Sequence, residues 1–230
     1  MLGTNGKQVR VALVAILAIM FGFGFLAPVG PGPGTPLRMY DAAGTDLKVA
    51  ALTYSKGPDK LWNRFTDPAA GMIPGRVLLA MDTFQMGSGQ ELAHAAGVDA
   101  AVYVLGRSNL DEPVGVYPGV VSGTSSGLAW ALATLLLNDP ELRDGGAIYA
   151  TGALYGDEGV GSISGLAEKL LTPGLSDAKV VFVPASQFRE AITSLNMRGF
   201  YDIAKRVVGV AYVSDALQVL CKNTPEARSC

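Results

Sequence analysis

Few residue types in this chain could carry bond-breaking chemistry. It has a single histidine, His94, and its only two cysteines, Cys221 and Cys230, fall in the last ten residues. A zinc site or a histidine-based triad therefore lacks its usual ligands, and no cofactor or metal is expected. Lysine is the remaining proton acceptor of general use, because burial lowers its pKa toward neutrality. The search narrows to a serine or threonine that a lysine could serve.

One such hydroxyl lies in Val120-Val121-Ser122-Gly123-Thr124-Ser125-Ser126-Gly127, where a predicted strand gives way to an apolar helix. A hydroxyl there sits beside unpaired backbone N–H groups and the positive end of the helix dipole, which suit an oxyanion. Ser, Thr and Gly before a helix are also ordinary N-cap composition. Phosphate binding is a further use of such a loop, but neither Gly-x-x-x-x-Gly-Lys-Ser/Thr nor Gly-x-Gly-x-x-Gly occurs, so no nucleotide is expected. The matching lysine is Lys169, in Ser162-Ile163-Ser164-Gly165-Leu166-Ala167-Glu168-Lys169-Leu170-Leu171. It lies on a short predicted helix among apolar neighbours, where the alternative is a surface lysine closing a helix end. His94 falls on a predicted helix far from both segments and reads as packing.

The elements that must position these residues alternate between strand and helix. Strands are predicted over Leu47–Tyr54, Arg76–Phe84, Val114–Val121, Ala147–Leu154, Val160–Ile163, Lys179–Val183 and Val207–Ala211. Helices are predicted over Pro58–Phe65, Gln90–Leu105, Ser126–Leu137, Leu166–Leu171, Gln187–Ser194 and Ser214–Cys221. In the second helix Leu92, Ala96, Ala100 and Val104 recur every four residues, and in the third Leu128, Leu132, Leu135 and Leu136 form a stripe ending at Asn138-Asp139-Pro140. This interleaving implies one mixed α/β domain over residues 37–222, followed by a tail at 223–230. Cys221 and Cys230 could pair across the tail in an oxidising compartment, or be a buried apolar residue and a frayed end.

Ahead of the domain, Lys7 and Arg10 precede Val11–Ala27, seventeen residues without a charge. As a helix this run reaches roughly 25 Å, near the lower limit for a bilayer. It is read as a retained signal anchor over 11–27, with residues 1–10 cytoplasmic and the body extracytoplasmic by the positive-inside tendency. Pro and Gly alternate through 28–36, a linker. Basic residues total 18 against 20 acidic ones, a net charge of -2. That balance gives no electrostatic footprint for nucleic acid and disfavours docking of the body on anionic lipid.

Taken together, these residues resemble a known family. Gly123-Thr124-Ser125-Ser126-Gly127 and the Ala- and Leu-rich helix after it are similar to the Gly-Pro-Ser-Ala-Gly nucleophile motif of Lon peptidase domains. Tyr149-Ala150-Thr151-Gly152, Gly159-Val160-Gly161-Ser162-Ile163-Ser164-Gly165, Glu168-Lys169 and Val181-Phe182-Val183-Pro184 match in order and spacing the motifs around the Lon lysine. The likeness is specific over 114–190. Leu78–Phe84 and the stretch from Met86 to Leu105 resemble what flanks the PDZ insertion of bacterial membrane-tethered Lon-like proteases. Here about eight residues join Leu105 to the next strand, too few for that insertion.

The resemblance implies a Lon proteolytic-domain fold and a serine endopeptidase that cleaves polypeptides through a Ser/Lys dyad and an acyl-enzyme. Ser125 is then the nucleophile and Lys169 the general base; Gly123, Thr124 and Ser126 flank the oxyanion site, and the Thr151 hydroxyl matches one that orients the lysine amine. Thr124 replaces the family's Pro, Ser126 its Ala, and Ser122 stands where many members carry Asp. Ser126 is a rival nucleophile that register against Gly123 and Gly127 disfavours. These residues contain no ATPase module, so ATP-independent action on flexible or unfolded chains is expected, and homo-oligomers follow by analogy with Lon rings. The competing reading is a non-catalytic, membrane-tethered scaffold with a Lon-like fold.

Overall fold

Alternation of side chains along extended backbone decides which residues go to which face of a sheet. In this protein both faces are buried. The structure, a computed structural model, describes residues 32–33, 36–55, 88–116 and 123–230. The anchor 11–27 and its flank 1–10, the predicted helix Pro58–Phe65 and strand Arg76–Phe84, Ser122 and most of the linker 28–36 lie outside the described residues. Among the described residues no helix is long and apolar enough to cross a membrane.

The strands are β1 (Gly32–Pro33), β2 (Leu37–Tyr40), β3 (Asp46–Ala51), β4 (Tyr54–Ser55), β5 (Val114–Val116), β6 (Ala147–Ala150), β7 (Ala153–Tyr155), β8 (Gly159–Gly161), β9 (Ala178–Pro184) and β10 (Val207–Val210). Six of them form one sheet in the order β10-β9-β6-β3-β2-β5. From β10 to β3 the pairing is parallel, and β2 is antiparallel to both its neighbours. The helices are α1 (Ser88–Leu105), α2 (Gly127–Asn138), α3 (Leu166–Lys169), α4 (Phe188–Met197), α5 (Tyr201–Ala204) and α6 (Val213–Cys221).

Val49, Ala51, Ile148, Ala150, Val180 and Phe182 point to the face covered by α1, α2 and α6. Their neighbours Ala50, Tyr149, Val181 and Val183 point to the face covered by α3, α4 and α5. The molecule is thus a three-layer mixed α/β fold, and β9, covered on both sides, is buried at every residue except Lys179. Deep in the first face lies α2, with every residue from Gly127 to Leu136 buried, so its apolar surface is a full circumference and not the stripe expected. It ends ahead of Pro140, whose ring cannot continue a helix.

Several expectations are corrected. In α1 the packed residues are Ala93, Gly97, Ala100 and Ala101, while Leu92 is 64% exposed. The cause is close approach: a Cβ at Gly97 would lie 2.4 Å from the Trp130 Cβ, so small residues fill the seam with α2 where the two backbones come nearest. The predicted strand Ala147–Leu154 divides at Thr151-Gly152 into β6 and β7: the Thr151 N–H still donates to the Phe182 carbonyl of β9, and the Gly152 N–H turns away to Ser125. Gly32 and Pro33, read as linker, pair with Ser55 and Tyr54. The tail 223–230 belongs to the fold: Cys221 and Cys230 are disulfide-bonded, Ala227 is buried in the core, and the Ser229 N–H and hydroxyl both donate to Asp139 Oδ2.

Candidate active site

Ser125 sits in the turn that feeds α2, and the turn is fastened at each carbonyl. Thr124 O accepts the Gly127 N–H at 3.1 Å, and Ser125 O accepts the Gly152 N–H at 2.8 Å and the Thr151 hydroxyl at 3.1 Å. Thr151 and Gly152 immediately follow β6, so the turn rests at the carboxyl end of a parallel strand, where the Thr151 N–H makes a last bond to β9 and the Gly152 N–H has left the ladder for Ser125. Gly152 O in turn accepts the Leu128 N–H at 3.1 Å, locking the first turn of α2 to the same segment. Among the described residues, neither the Ser125 nor the Ser126 backbone N–H donates to a carbonyl. They are the unpaired donors a helix start offers to an oxyanion.

Lys169 closes α3, and its Nζ lies 2.5 Å from Ser125 Oγ. The side chain is reached through the loop after β8. There Gln187 takes both backbone groups of Ile163, accepting its N–H at 2.8 Å and donating to its carbonyl at 3.0 Å. Beyond the lysine, the Thr172 hydroxyl donates to the Lys169 carbonyl at 2.6 Å and lies 3.4 Å from the carbonyl of Thr53, two residues past β3. The short helix is therefore anchored at both ends to segments that leave the sheet.

Lys169 is only 4% exposed, and burial lowers its pKa to about 8. No carboxylate lies within ion-pair distance of it among the described residues. Desolvation thus acts unopposed and favours the neutral amine, the form able to accept a proton from the serine hydroxyl beside it. The arrangement can generate an alkoxide-like nucleophile beside unpaired N–H donors with no metal and no imidazole.

The other residues singled out from sequence divide. Gly123 and Thr124 are exposed at the rim of the turn. Ser126 is buried and donates to Gln90 Oε1 at 2.7 Å, so its hydroxyl is engaged away from Lys169. Thr151 is fully buried, and its hydroxyl bonds the Ser125 carbonyl where the resemblance put it on the lysine amine. His94 packs edge-on against Trp130, with ring centroids 4.7 Å apart, and its Nε2 is 3.4 Å from Glu112 Oε2. Sequence reasoning missed Gln90 and Gln187, since a glutamine at a helix start carries no pattern that separates a buried clamp from a solvated side chain. No protein-family model matches the chain, and no curated protein matches it at a significant level.

Proposed function

We propose that the protein is an ATP-independent serine endopeptidase of the Lon-like type, with Ser125 as nucleophile and Lys169 as general base. The observation that carries this reading is the 2.5 Å approach of Lys169 Nζ to Ser125 Oγ in a pocket that holds the lysine pKa near 8. Ser125 Oγ attacks the carbonyl carbon of a peptide bond while its proton passes to Lys169 Nζ. The tetrahedral oxyanion rests on backbone N–H groups of the Ser125 turn. Collapse breaks the C–N bond, and the Lys169 ammonium returns its proton to the leaving amine. Water then attacks the ester, giving its proton to the same lysine, and frees Ser125.

The substrates in this proposal are flexible or unfolded polypeptide segments. The apolar run 11–27 would tether the enzyme to a membrane, with the catalytic domain on the extracytoplasmic side. Labelling of purified protein with a fluorophosphonate or a peptide chloromethyl ketone, alongside hydrolysis of an unfolded protein substrate, tests the activity. Both signals should be present in wild type and absent in Ser125→Ala. Labelling that persists in Ser125→Ala would sink the assignment. Membrane fractionation with carbonate extraction tests the tether, and a soluble form beginning near residue 28 would show a cleaved signal.

A further inference from the structure

We propose, building on the reading of Ser125 as nucleophile, that Gln90 is a positioning residue that sets the geometry of the nucleophile turn. Gln90 is 3% exposed near the start of α1, and its one amide reaches both sides of Ser125. Nε2 donates to Gly123 O at 3.0 Å, and Oε1 accepts the Ser126 hydroxyl at 2.7 Å. The assignment of the two amide atoms is unambiguous, because a carbonyl can only accept and the nitrogen must therefore face Gly123.

A peptide unit is planar and trans, so the partner of each carbonyl also aims the N–H of the following residue in the opposite direction. Three carbonyl bonds in this way orient the N–H groups of Thr124, Ser125 and Ser126. Those at Thr124 O and Ser125 O include a backbone N–H, from Gly127 and Gly152, and survive any side-chain change. Among the described residues, the one at Gly123 O depends on Gln90 alone. Gly123 has φ of +102°, a conformation with little steric resistance to rotation of the next peptide, so the plane that opens the turn is held by this amide rather than by its own backbone. The backbones also touch: a Cβ at Gly89 would lie 2.4 Å from Gly123 N, leaving α1 seated directly on the turn. Ser126 accordingly acts through Gln90, orienting its amide.

The test uses full-length protein, the rate of fluorophosphonate labelling of Ser125, and kcat and KM on an unfolded protein substrate. Gln90→Met keeps the volume and removes both bonds. It should label about 10- to 100-fold more slowly, the size expected when a reacting group is misplaced by about 1 Å, with the loss in kcat and little change in KM. Ser126→Ala, which leaves the Gly123 bond intact, should lose less. Gln90→Glu adds a readout that a packing role would not move. Only its protonated carboxyl can donate to Gly123 O, so its activity should fall with rising pH over the range where wild-type activity rises. Should Gln90→Met fail to fold, the pH profile of Gln90→Glu decides. Wild-type rates and profiles in folded Gln90 variants would overturn this inference and leave the nucleophile assignment standing. Absence of labelling and of hydrolysis in wild type would overturn both.

Discussion

The Thr151 hydroxyl donates to the carbonyl of Ser125, 26 residues earlier in the chain, and not to the amine of Lys169. Its effect on the dyad is therefore exerted through the backbone of the turn. Thr151→Val keeps the shape and removes the donor, while Ser125 O retains the Gly152 N–H. A loss of about 1 kcal/mol in denaturant melts and a several-fold drop in turnover are expected, with Thr151→Ser restoring most of both. Complete loss of turnover in a stable Thr151→Val protein would mean that the hydroxyl reaches the Lys169 amine during the proposed reaction.

The lowered pKa of Lys169 makes two linked predictions. On the proposed mechanism activity requires the neutral amine, so kcat/KM should rise with pH and level off above about 8. Stability changes in the same direction: between about 8 in the folded chain and roughly 10.4 in the unfolded one, the unfolded chain binds more protons. The burial penalty, about 3 kcal/mol, is complete below the folded pKa and disappears above the unfolded one. Lys169→Met should be inactive yet at least as stable as wild type at pH 7, with its advantage shrinking toward pH 10. Thermal melts across pH measure this, and a mutant less stable at pH 7 would count against a buried lysine.

The two adjacent serines should separate cleanly. Ser125→Ala should abolish hydrolysis at little cost in stability. Ser126→Ala should keep a measurable fraction of activity but cost about 1 to 3 kcal/mol, since it strands the buried Gln90 Oε1. Parallel assays and urea titrations of both variants check the assignment, and equal loss of activity in the two would defeat it.

Reduction of the Cys221–Cys230 disulfide should destabilise the fold by more than its short loop alone implies. Closing a loop between residues nine apart is worth about 2 to 3 kcal/mol by chain entropy. The released tail also withdraws the two Ser229 donors from Asp139, which is 2% exposed and whose Oδ1 has no partner among the described residues. Urea melts with and without reductant, compared with Ser229→Ala, separate the two contributions. A reduced protein as stable as the oxidised one would show the tail to be passive.

Much of the fold was legible because strand and helix periods are local. The α2 helix with its stop at Pro140 and strand β9 could be read from residue types, while the pairing of Ser125 with Lys169 follows from the resemblance, residue types alone leaving a helix cap and a surface lysine open. What escaped depends on contacts between distant segments. The break of the predicted strand at Thr151-Gly152 is made by the Ser125 carbonyl, which takes the Gly152 N–H and which no window around residue 151 contains. The packed face of α1 meets the expectation at Ala100 and departs from it at Leu92, because it is chosen by how near α2 comes, and nearness rewards Gly97 over Leu92. Gln90 went unnoticed as part of the site because its partners, Gly123 and Ser126, are more than thirty residues away.

The parallel pairing of β3 with β6 sets Val49 opposite Ile148, about 100 residues apart in the chain. Such a contact gives nothing back until a long loop has been closed, so its formation belongs to the slow end of folding. The segment that carries Ser125 lies inside that loop, and Lys169 is made later still. A chain emerging from the ribosome thus presents Ser125 before Lys169 has been made. Even a completed chain holds an ordinary, protonated lysine until burial lowers its pKa. On the proposed mechanism, reactivity would wait for the fold that brings Lys169 Nζ to Ser125 Oγ and buries the lysine.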